Sequence, residues 1–226
     1  MRVLIPKQLT NARMLGILKG LRIASLKLPA AAEGRLIGKR YKANAKAFAS
    51  RRKKIIADGG FIEYQDAFDD MRYGLATVRH SGCEVIAAYN VLRGMTGRTP
   101  DFAKLIATFE KRGMILYGGL GTDPGEMKAF FMEQGFSVEE YTDTEEFLAN
   151  ERQARDRRAY VLTFYNDREN LLKGIHTVAV TLGEDGFYLH NDGGKRAFGP
   201  YGSIGQIVLC YDRMRAGMIS ILRISC

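Results

Sequence analysis

Cysteine and histidine are scarce in this chain of 226 residues, which holds three of each. Cys83, Cys210 and Cys226 are too few, and odd in number, for a disulfide framework, so the sequence fits a reducing compartment such as the cytoplasm. No grouping of Cys and His has zinc-ligand spacing, and no metal or cofactor is expected. No apolar run approaches the roughly 18 residues that a membrane-spanning helix needs. The opening MRVLIPKQLTNARMLGILKG has no clean apolar core followed by a small-residue cleavage site, so a secretory signal is not expected.

Acidic residues are almost missing from the first quarter. Residues 1–56 hold 15 Lys and Arg against one acid, Glu33, a net charge of +14. Residues 57–226 carry a net −5, which leaves +9 for the whole chain. The sequence therefore divides into a basic helical segment, 1–56, and a mildly acidic body, 57–226. Within the segment, Leu15, Leu18 and Leu21 alternate with Arg13, Lys19 and Arg22 at near-helical spacing. Three readings fit: a surface helix packed on its own domain, an interfacial helix on an anionic membrane surface, or a phosphate-contacting arm. With an acidic body, nucleic acid is the least favoured partner. The stretch GKRYKANAKAFASRRKK, residues 38–54, is too polar for a core and reads as a solvated helix.

The body is well punctuated. A helix is expected from Ser81 to about Leu92. A second starts at Thr99-Pro100-Asp101, carries Phe102, Leu105, Ile106 and Phe109 on one face, and stops at Gly113. A third starts at Asp123-Pro124, turns Met127, Phe130 and Phe131 inward, and stops at Gly135. A polar helix is expected at 143–156. Beyond it the period changes to two, predicting strands at 158–166, 174–183, 186–192, 204–212 and 217–225. Helices followed by strands indicate an α+β fold with an antiparallel sheet.

The chemistry gathers in TVRHSGCEVIAAYNVL, residues 77–92. Ser81-Gly82-Cys83-Glu84 has the form of a capping box, which makes Cys83 the second residue of an apolar helix. Backbone N–H groups and the positive end of the helix dipole there lower a thiol pKa, whereas the adjacent Glu84 carboxylate opposes the thiolate. A small buried cysteine closing a core helix is the plainer alternative. A nucleophilic cysteine needs a base. His176 begins a predicted strand on the face of Val178 and Val180. The turn Gly183-Glu184-Asp185-Gly186 chooses its partner. A three-residue loop with Gly186 left-handed makes Asp192 the diagonal neighbour of His176, and a two-residue loop makes it Asn191. Glu184-Asp185 suits a two-residue loop poorly, so Asp192 is favoured and Asn191 is the alternative.

These residues resemble the papain-like cysteine peptidases, in particular the bacterial peptidases that process double-glycine leaders and their peptidase-like relatives. SGCEVIAAYN is similar to the nucleophile helix of that family, and GIHTVAV with YLHNDGG to its His and Asp blocks, over roughly residues 68–212. The resemblance implies a papain-like fold, with the nucleophile helix packed on a C-terminal antiparallel sheet. It also implies a peptide or protein substrate, and a triad of Cys83, His176 and Asp192 working through a thioester acyl-enzyme. The family usually carries Gln six residues before the cysteine and Gly just after it, where this chain has Thr77 and Glu84. The Cys83 backbone N–H is the implied oxyanion donor, and Thr77 or Ser81 stands in for the second. Acyl transfer to an amine, and a catalytically silent peptide-binding module, are the alternatives. Asp58-Gly59-Gly60 and Tyr117-Gly118-Gly119 read as turns.

Overall fold

The structure, a computed structural model, describes residues 11–24, 30–151, 158–167, 174–193, 199–213 and 217–226. Among these residues there are eight helices and seven strands: α1 (Asn11–Ala24), α2 (Ala30–Ile55), β1 (Arg72–Tyr73), β2 (Ala76–Thr77), α3 (Val78–Ser81), α4 (Cys83–Thr96), α5 (Phe102–Arg112), α6 (Pro124–Glu133), β3 (Ser137–Tyr141), α7 (Thr144–Glu151), β4 (Arg158–Tyr165), β5 (Ile175–Leu182), β6 (Phe187–His190), α8 (Ile204–Arg213) and β7 (Met218–Ser225). The fold is α+β. An antiparallel sheet of order β3-β7-β4-β5-β6 forms its centre.

Strand alternation divides the sheet's side chains between two helical layers. Ala159, Val161, Ala179, Leu222 and Ile224 join α4, α5 and α6 in one core. Tyr160, Leu162, Phe164, Val178, Val180 and Ile221 join Phe147 of α7 and Ile204, Ile207, Val208 and Tyr211 of α8 in the other. Helix α4 is apolar nearly all round because it runs beneath the sheet, and its residues Val85 to Tyr89 are fully buried. The starts of α5 and α6 form as their sequences dictate: Asp101 Oδ1 accepts the Lys104 N–H at 3.0 Å, and Asp123 Oδ1 accepts the Gly125 N–H at 2.9 Å.

Three elements differ from the sequence expectation. Residues 204–212 are a helix, not a strand. Ile204, Ile207, Val208 and Tyr211 recur at helical spacing, and all four are buried. Ser203 and Gln206 form the capping box that marks its start: Ser203 Oγ accepts the Gln206 N–H at 3.3 Å, and Gln206 Oε1 accepts the Gly202 N–H at 3.0 Å. Strand β3 was not expected, because SVEEY is polar; it is the sheet's edge, paired to β7 alone. The polar helix at 143–156 forms as expected, as α7 to Glu151, and residues 152–156 lie outside those described. The third difference is α2, which is solvated on one side only. Ile37, Asn44 and Ile55 are buried on the other. Asn44 grips β1 with both amide atoms, donating to Arg72 O at 2.8 Å and accepting from Arg72 N at 2.9 Å. Arg40 Nε lies 2.6 Å from the buried carboxylate of Glu110.

Helix α1 also docks on the body. Met14 and Leu18 are buried with Ile115, Tyr165 and Ile219, and Leu15 and Leu21 pack partly against them. Arg22 reaches Asp123 Oδ2 at 3.1 Å and Glu126 Oε1 at 2.7 Å. The leucine stripe therefore serves the fold, as in the first of the three readings. The expected helix at 7–10 and 25–27 lies outside the described residues. Among the described residues no helix is long and apolar enough to cross a membrane.

Candidate active site

Helix α4 begins one residue later than the capping-box reading places it. Ser81 ends the four-residue α3, Gly82 is the N-cap, and Cys83 is the first helical residue. The elbow between the two helices explains the Ser-Gly-Cys order. A Cβ on Gly82 would lie 2.6 Å from Val78 Cγ1 and 2.7 Å from Val78 O, so only glycine lets the chain turn there. Thr77 caps α3, its Oγ1 accepting the His80 N–H at 3.3 Å, and Ser81 Oγ donates to Thr77 O at 3.5 Å.

Glu84 does not close a capping box. Its carboxylate is buried against Gly121 and Thr122, and Oε2 accepts the Cys83 thiol hydrogen with an Sγ–O separation of 3.2 Å. Gly121 has φ +78, and a Cβ there would stand 3.0 Å from Glu84 Oε1. Burial raises the Glu84 carboxyl to about 7, with the Cys83 and backbone hydrogen bonds pulling the other way. The thiol moves in the direction opposite to the sequence expectation. Cys83 is 6% exposed, and burial first and the Glu84 charge second push its pKa well above the ordinary value. The backbone of Thr177 beside Cys83 works the other way and offsets only part of this. A helix N-terminus helps a thiolate when water also reaches it; here the sulfur is dry and faces a carboxylate.

The contact with Thr177 brings Cys83 to β5 one residue from His176. His176 Nε2 lies 2.9 Å from Asn191 O. A carbonyl only accepts, so in the neutral imidazole Nε2 carries the hydrogen and Nδ1 holds the lone pair. The ring stands edge-on to Phe164, with centroids 5.7 Å apart, on the α8 face of the sheet. Thr177 points to the opposite face and is fully buried. Thiol and imidazole thus approach β5 from opposite faces. On the β6 side that strand is unpaired at 176–177, because the β5–β6 ladder starts at Ala179↔His190.

The hairpin register corrects the argument for Asp192. Leu182 pairs with Phe187, and the Gly183 N–H bonds Gly186 O at 2.8 Å, leaving a two-residue Glu184-Asp185 loop. Gly186 is used for close approach instead of a left-handed bulge: a Cβ there would lie 2.6 Å from Tyr201 O, and Tyr201 bridges to Phe187 in both directions at 2.9 Å. Asn191 is then the register neighbour of His176, and it contributes its main-chain carbonyl. It adopts φ +65, a left-handed conformation that Asn tolerates better than most residues. Asp192 follows, buried, with Tyr211 Oη of α8 donating to its Oδ1.

Two residues that hold this corner were not singled out in the sequence. Glu63 Oε2 accepts the Asn191 N–H at 3.1 Å, while its Oε1 lies 2.7 Å from His190 Nδ1. Gln65 accepts from Asn191 Nδ2 at 3.3 Å, its N–H bonds Asn191 Oδ1 at 3.1 Å, and its Nε2 donates to Arg79 O at 2.9 Å. No periodicity marks them, because they sit on an irregular segment pinned to α4 through Asn90, which exchanges hydrogen bonds of 2.8 and 2.9 Å with Ile62. His190 is a core histidine, stacked on Phe61 and bonded to Glu63 and to Thr181 Oγ1. Among the described residues no group of His, Cys, Asp and Glu has the arrangement of a metal site.

Comparison with models of known families, with curated proteins and with solved structures found no match to this chain.

Proposed function

We propose that the chain is a cysteine hydrolase of papain-like arrangement, acting on a peptide or protein substrate through Cys83, His176 and Asp192. The observation that carries this reading is the packing of the α4 start on β5, which sets Cys83 beside Thr177, the residue next to His176. In this reading the His176 imidazole, held through Nε2 by Asn191 O, takes the thiol proton at Nδ1. The sulfur then attacks the substrate carbonyl carbon. The Cys83 N–H, at the first position of α4 where no intrahelical acceptor is available, faces the developing oxyanion. The imidazolium returns its proton to the leaving amine, and water cleaves the thioester. Asp192, buried beside this corner, stabilises the imidazolium. Thr77 Oγ1 caps α3 by accepting the His80 N–H, and its hydroxyl hydrogen is the second oxyanion donor of this reading.

A second reading is favoured by a specific observation. The thiol rests protonated on Glu84, and the imidazole lies across the strand from it. These two features favour reading the chain as a silent papain-like module that binds peptides without cleaving them. Acylation separates the two. After incubation with p-nitrophenyl acetate, the hydrolase reading expects an acetyl adduct on intact chain that is hydroxylamine-sensitive and missing from Cys83→Ser. No adduct on Cys83 supports the silent module.

A further inference from the structure

Helix α2 carries a row of cations opposite the face it buries. At about 100° per residue, Ile37, Asn44, Phe48 and Ile55 fall on one side of the helix. Arg35, Lys39, Lys42, Lys46 and Lys53 fall within an arc of roughly 60° on the other. All five are exposed. Over that distance an α-helix rises about 27 Å. The other two arginines that lean toward the body are used there, Arg40 on Glu110 and Arg51 on Asp69 and Asp70. Among the described residues, none of the five in the row has an ion-pair partner. Arg35/Lys39, Lys39/Lys42 and Lys42/Lys46 are like-charged neighbours three or four residues apart, and such pairs weaken a helix. Among the described residues no acidic side chain pairs with them.

We propose that this row is a docking surface for an anionic phospholipid membrane, which it meets by adsorption without insertion. The geometry of a straight row favours a plane. A flat sheet of anionic headgroups stays within reach of all five cations, whereas the phosphate strands of a duplex curve away and cross the row at a few points only. The row itself contains no large apolar side chain, and the leucines of α1 are committed to the body. The attraction is therefore electrostatic, it is additive over the row, and salt weakens it.

The test uses the full chain and sedimentation with phosphatidylcholine vesicles, with and without phosphatidylserine. Binding is expected only with phosphatidylserine, with release as salt is raised well above roughly 0.15 M. The triple variant Lys39→Gln, Lys42→Gln, Lys46→Gln should lower the partition coefficient on the order of a hundredfold. Removing equal charge elsewhere, at the exposed Arg98, Lys104 and Lys111, should change it by less than about fivefold, the weight of one row cation. All six positions are exposed, so both variants should fold, and their melting temperatures check this. Failure to bind, equal loss in the two triples, or tighter binding to duplex DNA than to the anionic vesicles would each overturn the proposal.

Discussion

Replacing Glu84 with Gln should make Cys83 more reactive. The isosteric amide keeps the volume packed against Gly121 and removes the charge that faces Sγ at 3.2 Å. Two unit charges about 4 Å apart repel by about 4 kcal/mol at an effective dielectric of about 20. That is an upper bound here, for two reasons. Glu84, at about 7, is only half ionised near neutral pH, and forming the thiolate would itself drive a proton onto the carboxylate. Burial of the sulfur also persists in the variant. A gain of about tenfold or more in alkylation rate near neutral pH is the expected remainder, equivalent to at least about 1.4 kcal/mol. The assay is iodoacetamide labelling with site-resolved mass spectrometry, using Cys210 and Cys226 as internal references. Labelling through global unfolding predicts the opposite sign, because removing a buried charge stabilises the fold above neutral pH. An unchanged or slower rate at Cys83 would refute the reasoning and make Glu84 an ally of the thiolate.

The same carboxyl predicts a pH dependence of stability. Its pKa is higher in the folded state than the ordinary 4.5, so the folded chain holds this proton more tightly. The stabilisation is complete below about 4.5 and is lost as pH rises through about 7, amounting to about 3 kcal/mol from Glu84 alone. Urea unfolding at acidic and alkaline pH should show this loss in the wild type and a flatter profile in Glu84→Gln. Gly82→Ala should cost about 1–3 kcal/mol, because the new methyl meets the Val78 backbone, and a neutral result would remove the elbow argument. Leu18→Ala should destabilise the chain by about 2 kcal/mol or more if α1 is part of the core, whereas a free arm would tolerate it within about 0.5 kcal/mol.

What could be read in the sequence was what local chemistry decides. Asp101, Gly113, Asp123 and Gly135 bound α5 and α6 through caps and glycine stops, and the strands at 158–166 and 174–183 followed from alternation. Helix α8 reads as a strand because Ile207 and Val208 with Leu209 form a short apolar run that suits either structure, and the arbiter is the Ser203–Gln206 cap. The hairpin failed for a tertiary reason: Gly186 answers to Tyr201, not to its own turn. Of the candidate site, the sequence placed Cys83 at the start of a core helix and His176 on a strand, and the structure has them on α4 and β5. The protonation of Cys83 was not legible, because it depends on how deeply α4 is buried and on where the Gly121 loop places Glu84.

The central claim is that Cys83 and His176 act as one nucleophilic unit. Its most direct measurement is the rate at which a peptidyl vinyl sulfone modifies Cys83, followed by intact mass in the wild type, Cys83→Ser and His176→Ala. The account predicts a single adduct per chain, its loss in Cys83→Ser, and at least about a hundredfold slower formation in His176→Ala, the usual weight of a general base. An adduct at Cys83 that forms equally fast without the imidazole would contradict it.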